Sequence, residues 1–151
     1  MRHRISAAGV VLRGDQLLMV HHHQPGAFDF WVPPGGGVEG HESLLQAAER
    51  EVHEETGLSV RAERILYLQE LVDGDSRICK SFVRCHEVGG ALSQAHRVDD
   101  EREVLVEARF MTAGQMTALD VRPPVFRDVF WQDLRREDSG LRYLGPTVCD
   151  R

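Results

Sequence analysis

The sequence predicts one domain of the α/β type (α+β), in which a mixed β-sheet lies between α-helices. Three observations predict it: strand-like segments rich in Val, Ile and Leu, amphipathic helices between and after them, and a length of 151 residues without repeat or linker. A chain of that length matches one ordinary domain. Because helices precede and follow the later strands, we expect the sheet to be covered on two sides and residues 1–151 to form a single domain.

Five segments are predicted as strands from runs of β-branched and apolar residues bounded by turn residues. The first two form a hairpin around Gly14-Asp15. Gln24–Phe30 is predicted as a loop, and Trp31–Gly37 as an extended stretch whose prolines and glycines cannot form a helix. The predicted strands are Arg4–Arg13, Gln16–His23, Leu58–Leu71, Ser76–Val88 and Val104–Met111.

Glu42–Thr56 is the clearest predicted helix. Ser43 suits its start, and Gly57 lies where a left-handed C-terminal cap is expected. Its apolar stripe recurs at helical spacing at Leu45, Ala48 and Val52.

The C-terminal third of the chain carries two further predicted helices and an apolar tail. The helices cover Thr112–Ala118 and Pro124–Arg136, the second with Pro124 in its first turn. Leu141–Pro146 is unusually apolar for a C-terminal segment. We expect it to dock on the domain or on a second subunit, in which case the protein is a homodimer.

An acidic composition limits the classes of partner. The net charge is −6, and phosphate backbones select basic surfaces, so we expect no nucleic-acid polymer as partner. A small anionic nucleotide derivative can still bind where cations stand between it and the protein. No apolar stretch reaches the length that spans a bilayer, and the three cysteines lack metal or disulfide spacing. We therefore expect no membrane association and a cytoplasmic location.

Three carboxylates share one face of the predicted helix Glu42–Thr56. Glu51, Glu54 and Glu55 stand at i, i+3 and i+4, within an arc of roughly 100°. Like charges at this spacing destabilise a helix by about 0.2–0.5 kcal/mol per pair. A divalent cation such as Mg²⁺, which prefers carboxylate and water oxygens, would compensate that repulsion. The alternative is a solvated acidic face, and the surrounding residues decide between the two.

The surrounding residues fit the pattern G-x₅-E-x₇-R-E-U-x-E-E-x-G-U, where U is an apolar residue, without a mismatch. This pattern is the Nudix box, so the sequence resembles the Nudix hydrolase family. The stretch Trp31–Gly36 before it and Glu107–Met116 near the end also look like this family. One departure is His41, where a glycine commonly precedes the first glutamate of the box. The matching positions are Gly36, Glu42, Arg50, Glu51, Val52, Glu54, Glu55, Gly57 and Leu58.

The resemblance implies a fold, a cofactor and a set of roles. It implies a Nudix-like mixed sheet between helices and Mg²⁺, with Mn²⁺ as a substitute. Glu51, Glu54 and Glu55 would hold the metal ions with the carbonyl oxygen of Gly36. Arg50 would orient these carboxylates. Glu42 would either support them from the helix start or share a metal ion.

The implied reaction is attack of water on phosphorus in the pyrophosphate bond of a nucleoside-diphosphate-linked compound. A carboxylate must take the proton of that water. Glu55 on the helix is one candidate, and Glu101 or Glu103 before the last strand is another. Glu103 is favoured of these two because it directly precedes Val104. The substrate is expected to be a nucleoside triphosphate or a nucleotide sugar, and the alternative function is a non-catalytic Nudix-fold module that binds a nucleotide.

Two features near the first hairpin remain open. His21 and His23 share one face of a strand while His22 points away, so the three side chains cannot readily converge on one metal ion. A polar strand end is favoured, and a place in the nucleotide pocket is the alternative. Phe28 is a candidate for stacking on a base, although aromatic residues before a core strand more often pack in the core.

Overall fold

In the computed structural model, which describes residues 1–93, 105–136 and 140–149, eight strands form a mixed sheet with a few short helices beside it. The strands are β1 Arg2–Arg13, β2 Gln16–Gln24, β3 Phe28–Val32, β4 Gly35–Gly37, β5 Leu58–Asp73, β6 Ser76–Gly90, β7 Leu105–Thr112 and β8 Arg142–Val148. The helices are α1 Leu44–Thr56, α2 Ala113–Met116 and α3 Val129–Asp133, with a 3₁₀ turn at Pro124–Arg127.

The strand order is β3-β2-β1-β6-β5-β8, with β4 paired to β1 and β7 paired to β2. β1 runs parallel to β6 and β8 runs parallel to β5, while the other pairs are antiparallel. β1 and β2 pair only at two positions beside their turn. Beyond that turn, β1 pairs with β4 and β6, and β2 pairs with β3 and β7.

Two apolar clusters cover opposite faces of the sheet, which confirms the predicted fold class. Ala47, Ala48 and Val52 of α1 are fully buried in one cluster. Phe126 and Phe130, from the 3₁₀ turn and α3, belong to the other. Within the described residues, no helix has the length and apolar character that crossing a membrane requires.

The structure corrects three of the predicted boundaries. The predicted loop Gln24–Phe30 ends early, because β3 begins at Phe28 and pairs with β2. The predicted helix Pro124–Arg136 is broken at Asp128, whose backbone leaves the helical region and whose carboxylate accepts a hydrogen bond from the next backbone N–H. Glu42 lies before α1 rather than in it, since Ser43 is the N-terminal cap.

The apolar C-terminal tail docks on the domain itself. Its residues form β8, which extends the sheet beside β5 from Tyr67 to Val72. Arg142 donates a hydrogen bond of 3.0 Å to Asp133 of α3. The tail therefore forms the edge strand of the sheet of its own chain.

Candidate active site

Helix α1, which carries the acidic face, is capped at both ends. The Ser43 hydroxyl accepts a hydrogen bond from the Gln46 backbone, and the Gln46 side chain accepts one from Ser43, which together form a capping box. Gly57 ends the helix with φ of 83°, a left-handed conformation that favours glycine. With its apolar stripe buried on the sheet, α1 turns Glu51 and Glu55 towards the glycine strand β4.

β4 brings its backbone against two of these carboxylates. The Gly35 N–H donates a hydrogen bond of 3.2 Å to Glu55 Oε2. A Cβ atom on Gly36 would lie 2.6 Å from Glu51 Oε1, so the absence of a side chain permits this close approach. The Gly36 carbonyl accepts a hydrogen bond of 2.8 Å from the Ser6 hydroxyl of β1. Gly36, Glu51 and Glu55 are thus brought together.

Arg50 connects most of the carboxylates of the site. Its Nη1 donates to Glu51 Oε1 at 2.9 Å and to Glu54 Oε2 at 3.1 Å. Its Nε and Nη2 donate to both oxygens of Glu42, the shortest contact being 2.7 Å. Nη2 also donates to the Gly37 carbonyl at 2.9 Å. Arg50 therefore ties α1 to β4 and to the loop that precedes the helix.

This network perturbs the acidity of its members. Hydrogen bonds from Arg50, then one from the Glu39 N–H, hold the pKa of Glu42 below its usual range. Burial raises the pKa of Glu51, whose residue is only 9% exposed, and the hydrogen bond from Arg50 opposes that rise. The Glu42 hydrogen bond is the main cause that raises the pKa of Arg50, so the guanidinium stays charged.

The charges of the site fit a cation. Arg50 contacts four carboxylates, those of Glu39, Glu42, Glu51 and Glu54, and one guanidinium cannot neutralise all four. Glu55 adds a fifth carboxylate beside Gly35. Oxygen donors with excess negative charge suit a hard divalent ion. Glu42 directs both oxygens at Arg50, which matches the supporting alternative rather than direct metal binding.

The remaining predicted site residues are Glu54, Phe28, Glu101 and Glu103. Glu54 has a side chain that is 43% exposed and reaches the cluster through Arg50. Phe28 opens β3, and its ring lies 5.6 Å from that of Phe30. Glu101 and Glu103 lie outside the described residues. The contacts of Ser6 had no signal in the sequence, because they depend on how β1 pairs with β4.

The chain matches a protein-family model over most of its length. The model is that of the NUDIX domain, and it covers residues 2–130. The chain belongs to the Nudix family. Nudix hydrolases generally use divalent metal ions, which agrees with the acidic cluster on α1.

Two curated Nudix relatives resemble only parts of this chain. An 8-oxo-dGDP phosphatase of Danio rerio is 32% identical over 87 residues, which is 58% of this chain and 26% of the relative. An RNA pyrophosphohydrolase of Cellvibrio japonicus is 40% identical over 58 residues, which is 38% of this chain and 34% of the relative. The aligned parts thus span about a quarter to a third of these relatives.

Solved Nudix structures share the fold over nearly the whole chain. A NUDIX hydrolase from Nitrosomonas europaea superposes with a TM-score of 0.71 and 21% identity, covering 89% of this chain and 91% of that protein. The likeness confirms the Nudix fold, including the mixed sheet with helices on both faces.

Proposed function

We propose that this protein is a Mg²⁺-dependent Nudix pyrophosphohydrolase that acts on a small nucleoside-diphosphate-linked compound, of the nucleoside triphosphate or nucleotide sugar type. The observation that carries the proposal is the carboxylate cluster of α1, which Arg50 and β4 hold together beside a glycine backbone. The names of the relatives, one a phosphatase and one a pyrophosphohydrolase, support the same reaction class.

The proposed roles follow from the contacts. Glu51, Glu54 and Glu55 would hold the metal ions together with the Gly36 carbonyl oxygen, which has a second lone pair beside its bond to Ser6. When bound, Mg²⁺, for which Mn²⁺ can substitute, screens the phosphoryl oxygens and lowers the pKa of a coordinated water. Arg50 keeps the carboxylates oriented by charge-assisted hydrogen bonds.

The hydrolytic step needs a proton acceptor. As the oxygen of water forms a bond to phosphorus, the bond from phosphorus to the bridging oxygen breaks, and a carboxylate takes the proton of the water. Glu55, which accepts a hydrogen bond from Gly35, and Glu103 are the two proposed bases. Phe28 is proposed to contact the base of the nucleotide, because it adds an aromatic ring at the start of β3.

The second proposed function is a non-catalytic module that binds a nucleotide. Every position of the box is intact, and a module that only binds need not keep each ligand, so the enzyme is favoured. We also retain as proposals one domain over residues 1–151, a cytoplasmic location and a homodimer. Light scattering during gel filtration tests the homodimer.

Incubation with a substrate panel and Mg²⁺ tests the proposed reaction. The panel contains nucleoside triphosphates, nucleotide sugars, 8-oxo-dGDP and a 5′-triphosphorylated RNA, and ion-exchange chromatography identifies the released phosphate species. We expect turnover of a small nucleotide and little turnover of the RNA. Tight nucleotide binding without any product would instead support the non-catalytic module.

Glu54→Gln is the variant that links turnover to the site. We expect turnover to fall at least about 10–100-fold, since even supporting groups of metal sites are worth that much. Stability should change by less than about 1 kcal/mol, because the Glu54 side chain is 43% exposed and solvent screens its ion pair to Arg50. Glu63→Gln is the matched control, a half-exposed carboxylate that bonds His86 on another strand. Near-normal turnover of Glu54→Gln would show that Glu54 is not a metal ligand.

A further inference from the structure

A second group of potential metal-ligating side chains lies on the β2–β3 hairpin and shares no residue with the carboxylate cluster of α1. Its members are His21, His23 and Asp29, and one potential ligand atom from each lies within 4.8 Å of the others. Among the described residues, this is the one set of three His, Cys, Asp or Glu side chains that meets this spacing.

The register of the hairpin explains the grouping. His23 is directly opposite Asp29, and His21 is two residues along β2 on the same face. His21 Nε2 and Asp29 Oδ1 are 2.6 Å apart, within hydrogen-bond distance. The rings of His21 and His23 are nearly parallel, with centroids 5.6 Å apart. The hairpin alone therefore places two imidazoles and a carboxylate around one point.

The inner side of this group is held rigidly while its outer side is open. The Trp31 ring stacks on His21 with centroids 4.3 Å apart and an angle of 2° between the planes. The His21 side chain is 15% exposed, whereas that of Asp29 is 62% exposed. One ligand is thus fixed by packing, and another can move by rotating its side chain towards an ion.

We propose that His21, His23 and Asp29 form a site for a divalent transition-metal ion of intermediate hardness, such as Zn²⁺. Two imidazole nitrogens and one carboxylate oxygen suit Zn²⁺, Co²⁺ or Ni²⁺, whereas Mg²⁺ prefers oxygen ligands alone. Zn²⁺ holds such ligands at about 2.0–2.2 Å, which places the ligand atoms of a tetrahedral ion about 3.4 Å apart. The His21–Asp29 contact of 2.6 Å must therefore widen, while the wider spacings of the group must narrow. The exposed Asp29 carboxylate permits that movement.

Binding would exchange the His21–Asp29 contact for bonds to the metal. Any proton on an imidazole nitrogen that binds the ion is released. Three protein ligands leave a fourth position of a tetrahedral ion to water. The role we assign to the ion is to stabilise the β2–β3 hairpin by linking its two strands. Its second strand, β3, leads through Trp31 to the glycine strand β4.

Titration of the untagged chain with Co²⁺ in excess Mg²⁺ tests the site, because Mg²⁺ occupies oxygen-only sites while nitrogen ligation changes the visible spectrum of Co²⁺. We expect one equivalent of Co²⁺ to bind, Zn²⁺ to displace it, and Zn²⁺ to raise the melting temperature. Asp29→Asn and His23→Gln should each weaken binding by at least about tenfold. Asp29 is exposed, so its variant should fold even where His23→Gln does not.

Two controls separate this site from the rest of the protein. His86→Gln removes a histidine that also contacts a carboxylate, Glu63 at 2.9 Å. Within the part of the chain that the structure describes, His86 belongs to no such group of three, so Co²⁺ binding should persist. Glu54→Gln should also keep Co²⁺ binding, even where turnover is lost. Unchanged affinity in Asp29→Asn and His23→Gln, or no binding in excess Mg²⁺, would mean that the three residues form only a histidine–carboxylate contact and would overturn the proposal.

Discussion

Alanine substitutions at three successive glycines should have three different effects. A Cβ atom on Gly35 would lie 2.6 Å from the Ala8 Cβ and 2.7 Å from the Ala8 Cα, inside the pairing of β4 with β1. Backbone cannot move aside cheaply, and overpacking typically costs about 1–3 kcal/mol. For a chain of this size that cost lowers Tm by about 2–12 °C. Gly35→Ala should therefore act mainly on stability.

Gly36→Ala should act mainly on the site. Its Cβ would lie 2.6 Å from Glu51 Oε1, the end of a side chain that can rotate away only by leaving Arg50. The fold can absorb that rotation, but Glu51 then loses its close approach to the Gly36 backbone. We expect Tm to fall by less than about 4 °C, the equivalent of about 1 kcal/mol, while turnover falls severely.

Gly37→Ala is the matched control. A Cβ there would meet Arg4 Nη2 at 3.6 Å, an ordinary van der Waals distance, so both Tm and turnover should stay close to the wild-type values. Thermal melts followed by circular dichroism and steady-state assays on the best substrate of the panel measure the series. Equal effects at Gly35 and Gly36, or a normal turnover for Gly36→Ala, would refute the proposed contact between β4 and Glu51.

Three further predictions concern the network and the base. Arg50→Ala should lower both stability and turnover, and its loss of stability should become smaller as pH falls. The hydrogen bond from Arg50 lowers the pKa of Glu42 in the folded protein, so its stabilisation is present above the pKa that Glu42 has in the unfolded chain and is lost as pH falls through the folded-state pKa. Thermal melts at several pH values in chelator test this, and a loss of stability that grows in acid would contradict it. Mg²⁺ should raise Tm, because an ion that binds only the folded protein adds about 2.7 kcal/mol of stability at a concentration of a hundred times its Kd. Excess chelator should abolish turnover, and full turnover in chelator would exclude a metal-dependent reaction. Glu103→Gln should lower turnover by about 10²–10⁴-fold with little change in metal affinity, and a silent Glu103→Gln beside an inactive Glu55→Gln would assign the base to α1.

Local patterns in the sequence determined the family, the fold class and the acidic face of α1. The spacing of Glu51, Glu54 and Glu55 places them on one side because a helix turns every 3.6 residues, whatever surrounds it. The capping residue Ser43 and the left-handed Gly57 also act within a few residues of the chain. Such features depend on neighbouring positions, so the sequence suffices to predict them.

Tertiary structure decided what these residues contact. Arg50 reaches the Gly37 carbonyl, and Ser6 reaches Gly36, only because β4 pairs with β1 beside the helix. Asp29 joins His21 and His23 because the pairing of β3 with β2 sets their register, whereas the sequence predicted a loop there. Pairing between strands depends on long-range hydrogen bonds and on the packing of both sheet faces, and local composition and periodicity do not specify it.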